Sequence, residues 1–117
     1  MSSVEQKIKD LGLTLPETSK PLAAYIPAVQ TGNLVFTSGQ LPMVDGKLSV
    51  TGKVGAEVSV EQAKALAEVC ALNALAAIKM VIGDLDKIKR VVKVVGFVAS
   101  APDFSSQPAV VNGASEL

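Results

Sequence analysis

The chain has 117 residues, the usual size of one domain, so we expect a single domain over residues 1–117. Hydrophobic residues make up 49% of the sequence and charged residues 19%, and because so apolar a chain can offset its ordering entropy by burial, intrinsic disorder is excluded. The 11 basic and 11 acidic residues give zero net charge, which argues against a nucleic-acid binder, since such proteins normally carry a basic excess.

An amphipathic helix is predicted near the N-terminus. The stretch from Ser3 to Gln6 fits a capping box, in which the Ser3 hydroxyl accepts from the first turn and Gln6 reaches back. Apolar residues then recur on one side as far as Leu11, and Gly12 can adopt the left-handed conformation that ends a helix. Prolines interrupt residues 16–27, so this segment is predicted to be an extended connector.

A β-hairpin follows the connector. Residues 28–30 and 34–38 are strand-like and are separated by Thr31-Gly32-Asn33, where Gly and Asn tolerate positive φ. A second turn signal, Asp45-Gly46, precedes a ragged edge strand predicted over residues 47–54.

The longest predicted element is a helix of about six turns. Ser59 and Gln62 repeat the capping-box pattern, and Gly83 supplies the end. Apolar residues recur between them at spacings of three and four: Ala63, Leu66, Ala67, Cys70, Ala74, Ala77, Ile78 and Val81. We expect burial on more than one side, with Cys70 packed in the core and a hydrogen-bonded amide at Asn73.

A long strand and a final helix complete the predicted elements. Residues 88–98 are rich in β-branched side chains and are predicted to form a strand that crosses the sheet. Arg90, the only arginine, is expected at a solvated strand edge or in a salt bridge between subunits. Pro102 and Asp103 end the strand, and Ser106 with Pro108 begins a helix that is expected to continue to the last residue.

The order of elements predicts an α+β fold, with helices on one face of the sheet. Its other face would alternate Val and Phe with only occasional Lys, a surface poorly suited to solvent. We therefore expect copies of the chain to associate through that face.

Residue counts exclude several kinds of site. Histidine is absent, so neither a Ser-His-Asp site nor a histidine-ligated zinc is predicted. With Cys70 as the only cysteine and no apolar core of a signal peptide at the N-terminus, the expected location is cytoplasmic. Lys64, Glu68 and Lys79 interrupt the longest apolar stretch, so we expect a soluble protein without a membrane span.

The stretch T-G-N-L-V-F-T-S-G-Q-L-P at residues 31–42 resembles the G-N-x-h-x-x-S-G-Q-h-P motif of the YjgF/RidA family, where h is apolar. Less specific matches lie further along: Gly83-Asp84-Leu85, Gly96-Phe97-Val98, Asp103-Phe104 and Val111-Asn112. Together they cover residues 20–117. The extra N-terminal helix and the phrase C-A-L-N-A-L at residues 70–75 are similar to a divergent branch of that family.

The resemblance implies a chorismate-mutase-like α+β fold, in which two helices pack on one face of a mixed sheet. It also implies a homotrimer around a central barrel, with sites in clefts between subunits. Family members hydrolyse reactive enamines and imines to 2-oxo acids and ammonia, and this reaction requires no metal or organic cofactor. The implied partners are further copies of the chain and a small carboxylate-bearing metabolite, with no nucleic acid and no membrane.

By position in the motifs, the resemblance implies Tyr25 and Ser38 as catalytic residues, and Gly39 and Asn112 as substrate-binding residues. The family's carboxylate-binding arginine, the small or cysteine residue near it and its late glutamate would lie beyond Leu117. We therefore expect the sequence to lack the family's C-terminal strand region. Without that arginine, substrate would depend on backbone amides and hydroxyls, because a guanidinium is the strongest single group for a carboxylate.

Each of these residues also has a structural interpretation, which the sequence leaves open. Ser38 and Gly39 are equally consistent with turn chemistry at a strand end. Tyr25 can pack its ring under a loop and bond its hydroxyl to the backbone. Asn112 can serve as a local cap at the start of the last helix.

Two function classes remain open. The first is an imine or enamine hydrolase, similar to 2-iminobutanoate and 2-iminopropanoate deaminases. The second is a non-catalytic trimer that binds a 2-oxo acid or a similar small anion, and an arginine near the C-terminal strand would favour catalysis over it. Endoribonuclease activity, also attached to the family, has little physical support from a chain with zero net charge, no histidine and four aromatic residues.

Overall fold

The structure, a computed structural model, describes residues 2–17 and 24–117. These residues have the predicted α+β content. They form three α-helices, a short 3₁₀ helix and four strands: α1 (Ser3–Asp10), β1 (Ala28–Thr31), β2 (Leu34–Thr37), β3 (Met43–Val44), β4 (Lys47–Leu48), α2 (Val60–Ile82), the 3₁₀ helix (Leu85–Lys87) and α3 (Gln107–Ser115). The chain divides into two compact units, the first of Met1–Gln40 with Leu72–Val91 and the second of Leu41–Ala71 with Val92–Leu117. That the two make one domain stays a prediction.

The first helix is confirmed, but its capping box lies one residue earlier than predicted. Ser2 is the N-cap, and its hydroxyl accepts from the backbone N–H of Glu5 at 3.1 Å. The box of Ser3 with Gln6 is wrong because Ser3 has a tertiary partner. Its N–H donates to the carboxylate of Asp86 at 2.8 Å and its hydroxyl donates to the same group at 3.2 Å.

The predicted end of α1 at Gly12 is confirmed, with a φ of +76°. The N–H of Gly12 donates to the carbonyl of Lys9, and that of Leu13 donates to the carbonyl of Ile8. This pair of bonds is the Schellman arrangement, which satisfies carbonyl groups that the helix end would otherwise leave unpaired.

Two polar contacts anchor α1 within the first unit. The carboxylate of Asp86 accepts from the N–H groups of Ser3 and Val4, and these hydrogen bonds hold its pKa below the usual value. The ammonium of Lys79 on α2 donates to Glu5, which lowers the pKa of that carboxyl group. Both contacts hold the start of α1 to residues that lie more than 70 positions further along the chain.

The predicted connector, residues 16–27, is described only in part, because residues 18–23 lie outside the described residues. Residues 16–17 and 24–27 belong to no helix or strand, in agreement with the prediction for those positions.

The predicted hairpin is confirmed. Strands β1 and β2 pair antiparallel, with Val29 opposite Phe36 and Thr31 opposite Leu34. Gly32 in the connecting turn has a φ of +55°. This hairpin belongs to the first unit, and β2 ends directly before Ser38.

The Asp45-Gly46 turn is confirmed as well. It joins β3 to β4, and both turn residues have positive φ, +52° and +77°, as a type I′ turn requires. The edge strand predicted over residues 47–54 is shorter than expected, since ladder pairing ends at Leu48. Val54 forms only isolated parallel bridges, to Val58 and Ser100.

The long helix α2 has both of its predicted ends. The hydroxyl of Ser59 accepts from the N–H of Gln62 at 3.1 Å, and the Gln62 side chain accepts from the N–H of Ser59 at 2.9 Å. At the other end Gly83 has a φ of +81° and donates to the carbonyl of Lys79. The reciprocal bonds are those of a capping box, whose removal typically costs about 1 kcal/mol.

By length and composition, α2 is also long and apolar enough to cross a membrane, with a mean hydropathy of 1.8. The prediction that charged residues keep the longest apolar stretch too short to span a membrane is wrong. The most apolar part of α2 contains two charged residues and still meets the criteria of length and hydropathy. A core helix passes the same test, and α2 buries Ala63, Leu72, Ala76 and Ala77 together with the polar Asn73.

The strand predicted over residues 88–98 does not form. No residue of this segment pairs with a strand in the described part of the chain, and Val91, Val95 and Phe97 are largely exposed. The predicted mixed sheet is consequently absent here, and the described residues form two separate two-stranded antiparallel sheets. The pattern of β-branched residues predicted the local preference correctly, but a strand also requires a neighbour for its backbone hydrogen bonds.

The final helix is confirmed, with Ser106 as N-cap and Pro108 in its first turn. It ends at Ser115, rather than continuing to the last residue, and the N–H of Glu116 donates to the carbonyl of Asn112. Val110 on α3 is buried and belongs to the core of the second unit, with Val54, Val58 and Ala63.

Candidate functional site

Ser38 follows the last residue of β2, where the strand pairing ends. Its backbone N–H donates to the carbonyl of Pro27 at 2.8 Å, and its hydroxyl donates to the same carbonyl at 3.2 Å. A carbonyl oxygen only accepts hydrogen bonds, so the hydroxyl proton of Ser38 is committed to Pro27. The side chain is half-buried and is fixed by the strand that precedes it.

Gln40 also contacts Ser38. Its side-chain nitrogen lies 3.3 Å from both the carbonyl oxygen and the hydroxyl oxygen of Ser38. Because the carbonyl oxygen only accepts, the amide group must present its NH₂ here, and that group reaches the hydroxyl as a donor. Ser38 thus donates one hydrogen bond and accepts another, which leaves one lone pair on its hydroxyl oxygen.

Gly39, between these two residues, is exposed. A β-carbon at this position would have no atom within 4 Å, and the φ of Gly39 lies outside the left-handed region. The interpretation that glycine is needed here for a positive φ is therefore wrong, and no packing against residues 2–17 or 24–117 requires it. Gly39 is therefore an exposed glycine with open space on the side of its missing side chain.

Tyr25 lies in the segment before β1, with 47% of its surface exposed. It is not packed beneath a loop among the described residues, so that structural interpretation finds no support in its exposure. Among residues 2–17 and 24–117, no hydrogen bond joins its hydroxyl to Ser38 or Gly39. Its predicted role stays a prediction.

Asn112 belongs to the second unit and is the sixth residue of α3. Its position within the helix excludes the interpretation of a cap at the helix start, which is the role of Ser106. The side chain is exposed on the surface of α3, and its predicted contact with substrate remains a prediction.

Two further residues considered from the sequence are Cys70 and Arg90. Cys70 is half-buried rather than packed in the core as predicted. Burial nevertheless raises the pKa of its thiol to about 11, which disfavours the reactive thiolate. Arg90 is exposed in the segment after the 3₁₀ helix. In the part of the chain that the structure describes, no cluster of three or more His, Cys, Asp or Glu residues is arranged to hold a metal ion.

The first unit also contains an open cleft of about 590 Å³ at the anchor of α1. It is lined by Glu5, Leu15, Pro16, Glu17, Ala76, Lys79, Met80 and Gly83. None of the predicted site residues lines it, and its charged pair is the ion pair that holds α1 in place.

Comparison with known proteins identifies the class to which this fold belongs. The sequence profile described as YjgF/chorismate-mutase-like, putative endoribonuclease, matches residues 5–117. The chain therefore belongs to the YjgF/chorismate-mutase-like family and has its α+β fold.

Individual relatives agree with this assignment. Protein TCP17 of Trypanosoma cruzi is 40% identical over 114 residues, which are 97% of this chain and 71% of that protein. The crystal structure of Atu1372 from Agrobacterium tumefaciens has 50% identity and a TM-score of 0.87, covering 97% of this chain and 68% of that one. A putative endoribonuclease from Shewanella oneidensis has 32% identity and the same TM-score, covering 96% and 74%.

The sequence placed Ser38 and Gly39 correctly at the end of the second strand, but it assigned no role to Gln40. The signal was present, because a glutamine two residues beyond a serine at a strand end is within reach of that serine's hydroxyl. The direction of the Ser38 hydroxyl could not be predicted, since its proton is donated to the carbonyl of Pro27, eleven residues earlier and across the hairpin.

Proposed function

We propose that this chain is a small-molecule imine or enamine hydrolase, which converts 2-imino acids to 2-oxo acids and ammonia. Its sites would lie in clefts between the subunits of a homotrimer, beside Ser38 and Gly39. Membership of the family over residues 5–117 supports this proposal, and Ser38 and Gly39 lie in the motif at residues 31–42 that resembles the family's own. The proposed location is cytoplasmic, and no cofactor is required.

The observation that carries the proposal is the exposure of Gly39, with open space where its β-carbon would stand. Gly39 follows Ser38, and neither a left-handed φ nor packing among the described residues explains the absence of a side chain there. A backbone N–H that a ligand can approach closely is a suitable donor to a carboxylate oxygen. The site would therefore recognise the carboxylate of a small anion and would hold its C=N carbon near the Ser38 hydroxyl.

The reaction requires little chemistry from the protein. Water adds to the C=N carbon, so that a C–O bond forms while the π electrons move to nitrogen, which takes up a proton. The amino group of this carbinolamine takes up a second proton, and its C–N bond then breaks to release ammonia. Loss of the hydroxyl proton gives the 2-oxo acid and balances the proton that was taken up. Orientation of the imine and the water lowers the barrier to the first step, because reactants already in place lose less entropy.

Ser38 and Tyr25 would position the water and the substrate. Ser38 cannot be the general base, because its proton is already donated to Pro27 and that carbonyl cannot accept it. It would instead accept a hydrogen bond from the attacking water and turn a lone pair of that water toward carbon. The proton would be passed on to solvent.

The experiment measures the decay of 2-iminopropanoate, formed in place by an amino-acid oxidase, with and without the purified protein. We expect decay faster than the spontaneous rate, and a loss of at least about fivefold in that acceleration for Ser38→Ala, the effect of one hydrogen bond. Thr37→Val, an exposed hydroxyl one residue earlier, is the matched control and should keep full activity. Decay at the spontaneous rate would remove the enzymatic proposal.

The alternative, a trimer that binds a 2-oxo acid without catalysis, is favoured by one observation. Ser38 supplies no base, and the chain contains no histidine to replace it. Saturable binding of pyruvate together with spontaneous imine decay would support this alternative. RNA cleavage abolished by Ser38→Ala would instead support the endoribonuclease named for the Shewanella oneidensis relative, which zero net charge disfavours here.

A further inference from the structure

Gln40 lies beside the proposed site and contacts Ser38. Its side chain is half-buried, and its NH₂ group contacts two oxygen atoms of one residue, the carbonyl and hydroxyl oxygens of Ser38, each at 3.3 Å. We propose that Gln40 is a positioning residue, which fixes the Ser38 hydroxyl as a hydrogen-bond acceptor toward the ligand. This inference rests on the proposed function of the site.

Two neighbouring groups form hydrogen bonds with the Ser38 hydroxyl. The carbonyl of Pro27 takes its proton, and the amide of Gln40 donates to one of its two lone pairs. Both neighbours have a fixed chemical direction, because one only accepts and the other is held as a donor by the Ser38 carbonyl. The remaining lone pair is the only direction in which the hydroxyl can make a further hydrogen bond.

Without Gln40, the hydroxyl would gain a second open lone pair. The Ser38 hydroxyl could then accept a hydrogen bond from solvent in place of the amide. The bound water or substrate N–H could donate to either of two lone pairs, so its position would be less well defined. Substrate would still bind through its carboxylate, since Gly39 supplies that contact. The predicted consequence is a lower turnover number with an unchanged Michaelis constant, the pattern of an interaction that acts in the transition state.

The test compares Gln40→Leu, which keeps the approximate shape and removes both donors, with Gln30→Leu as the control. Gln30 lies on β1 of the same hairpin, is exposed, and its side chain donates to the carbonyl of Gly32 and not to Ser38. In the 2-iminopropanoate assay, we expect kcat of Gln40→Leu to fall about fivefold with KM within twofold of wild type, as for the loss of one hydrogen bond. Gln30→Leu should match wild type in both constants.

A double-mutant cycle with Ser38→Ala gives a readout that a merely structural role would not move. If Gln40 acts through the Ser38 hydroxyl, kcat of the double variant should be less than twofold below kcat of Ser38→Ala alone. A fivefold further loss in the double variant, or wild-type kcat in Gln40→Leu, would overturn the inference while the proposed function stands. A wild-type protein that leaves imine decay at its spontaneous rate would overturn the proposed function, and this inference with it.

Discussion

Gly113 on α3 lies directly against the backbone of Lys64 on α2. A β-carbon at Gly113 would come within 2.9 Å of the Lys64 carbonyl carbon and closer still to its oxygen. No side chain can rotate away from such a contact, because the neighbouring atoms are main-chain atoms. The two helices of the second unit therefore approach each other through a glycine, and the ion pair of Lys64 with Glu116 at 3.0 Å lies one turn further along.

This contact predicts that Gly113→Ala destabilises the protein. Elsewhere in a helix, replacing glycine by alanine typically stabilises by about 0.5–1 kcal/mol, whereas overpacking costs about 1–3 kcal/mol. We expect the second effect to prevail, with a lower midpoint in urea unfolding. Ser115→Ala, an exposed position on the same helix, is the control and should be neutral or slightly stabilising. An unchanged or higher midpoint for Gly113→Ala would show that the helices do not meet there.

Gly39→Ala should not destabilise the protein but should weaken ligand binding. Because a β-carbon at Gly39 meets no atom within 4 Å and φ is not left-handed, stability should stay constant or rise by about 0.4–1 kcal/mol. The methyl group would nevertheless obstruct a ligand that approaches the backbone, so affinity for a 2-oxo acid should fall. Isothermal titration with pyruvate and thermal unfolding, measured on the same sample, separate the two effects. Full affinity in this variant would contradict a role for the Gly39 backbone.

The anchor of α1 should be sensitive to acid. Hydrogen bonds from the N–H groups of Ser3 and Val4 lower the pKa of Asp86, so the folded state binds this proton more weakly than the unfolded state does. The stabilisation is therefore present above the ordinary pKa of an aspartate, about 4, and is lost as the pH falls through the lower folded value. Hydrogen exchange should show that α1 loses protection in that range before the rest of the first unit does.

Asp86→Ala should reproduce this loss at neutral pH, and Asp84→Ala supplies a comparison. Asp84 caps the 3₁₀ helix through the N–H of Asp86, and no hydrogen bond or ion pair joins its side chain to α1 among the described residues. If α1 in Asp86→Ala exchanges as slowly as in wild type, the carboxylate does not hold the helix.

The exposed segment after the 3₁₀ helix predicts the behaviour of the assembly. Phe97 has 96% of its surface exposed, which is unfavourable for a large apolar side chain unless another molecule covers it. If the homotrimer forms through this segment, light scattering should give the mass of three 12.0 kDa chains. Phe97→Glu should lower the measured mass toward that of a single chain. Lys89→Glu, an exposed change of charge in the same segment, is the control. A monomeric wild-type protein would contradict the proposed assembly.

Local signals account for what the sequence predicted correctly. Three kinds of feature depend on residues within a few positions of one another. They are the capping box at Ser59, the left-handed helix ends at Gly12 and Gly83, and the Asp45-Gly46 turn. Such short-range patterns determine where an element begins and ends because the groups that satisfy the backbone are near in sequence.

Contacts between residues far apart in the chain account for what the sequence did not predict. The capping box of α1 lies at Ser2 because Asp86, 83 residues away, occupies the groups of Ser3. Residues 88–98 have the composition of a strand but no neighbour to pair with among the described residues. At the candidate site, the serine and glycine were predicted from their motif, whereas the direction of the Ser38 hydroxyl depends on Pro27.

The measurement that tests the central claim most directly is a titration of the isotope-labelled protein with pyruvate, followed by backbone amide resonances. The central claim is a binding site for a small carboxylate at the end of β2, whether the chain is a catalyst or a binding protein. It predicts saturable shifts that are largest for the amides of Ser38, Gly39 and Gln40 and are lost in Gly39→Ala. Shifts that cluster instead around Lys79 in the cleft beside α1, or no shifts at millimolar pyruvate, would contradict it.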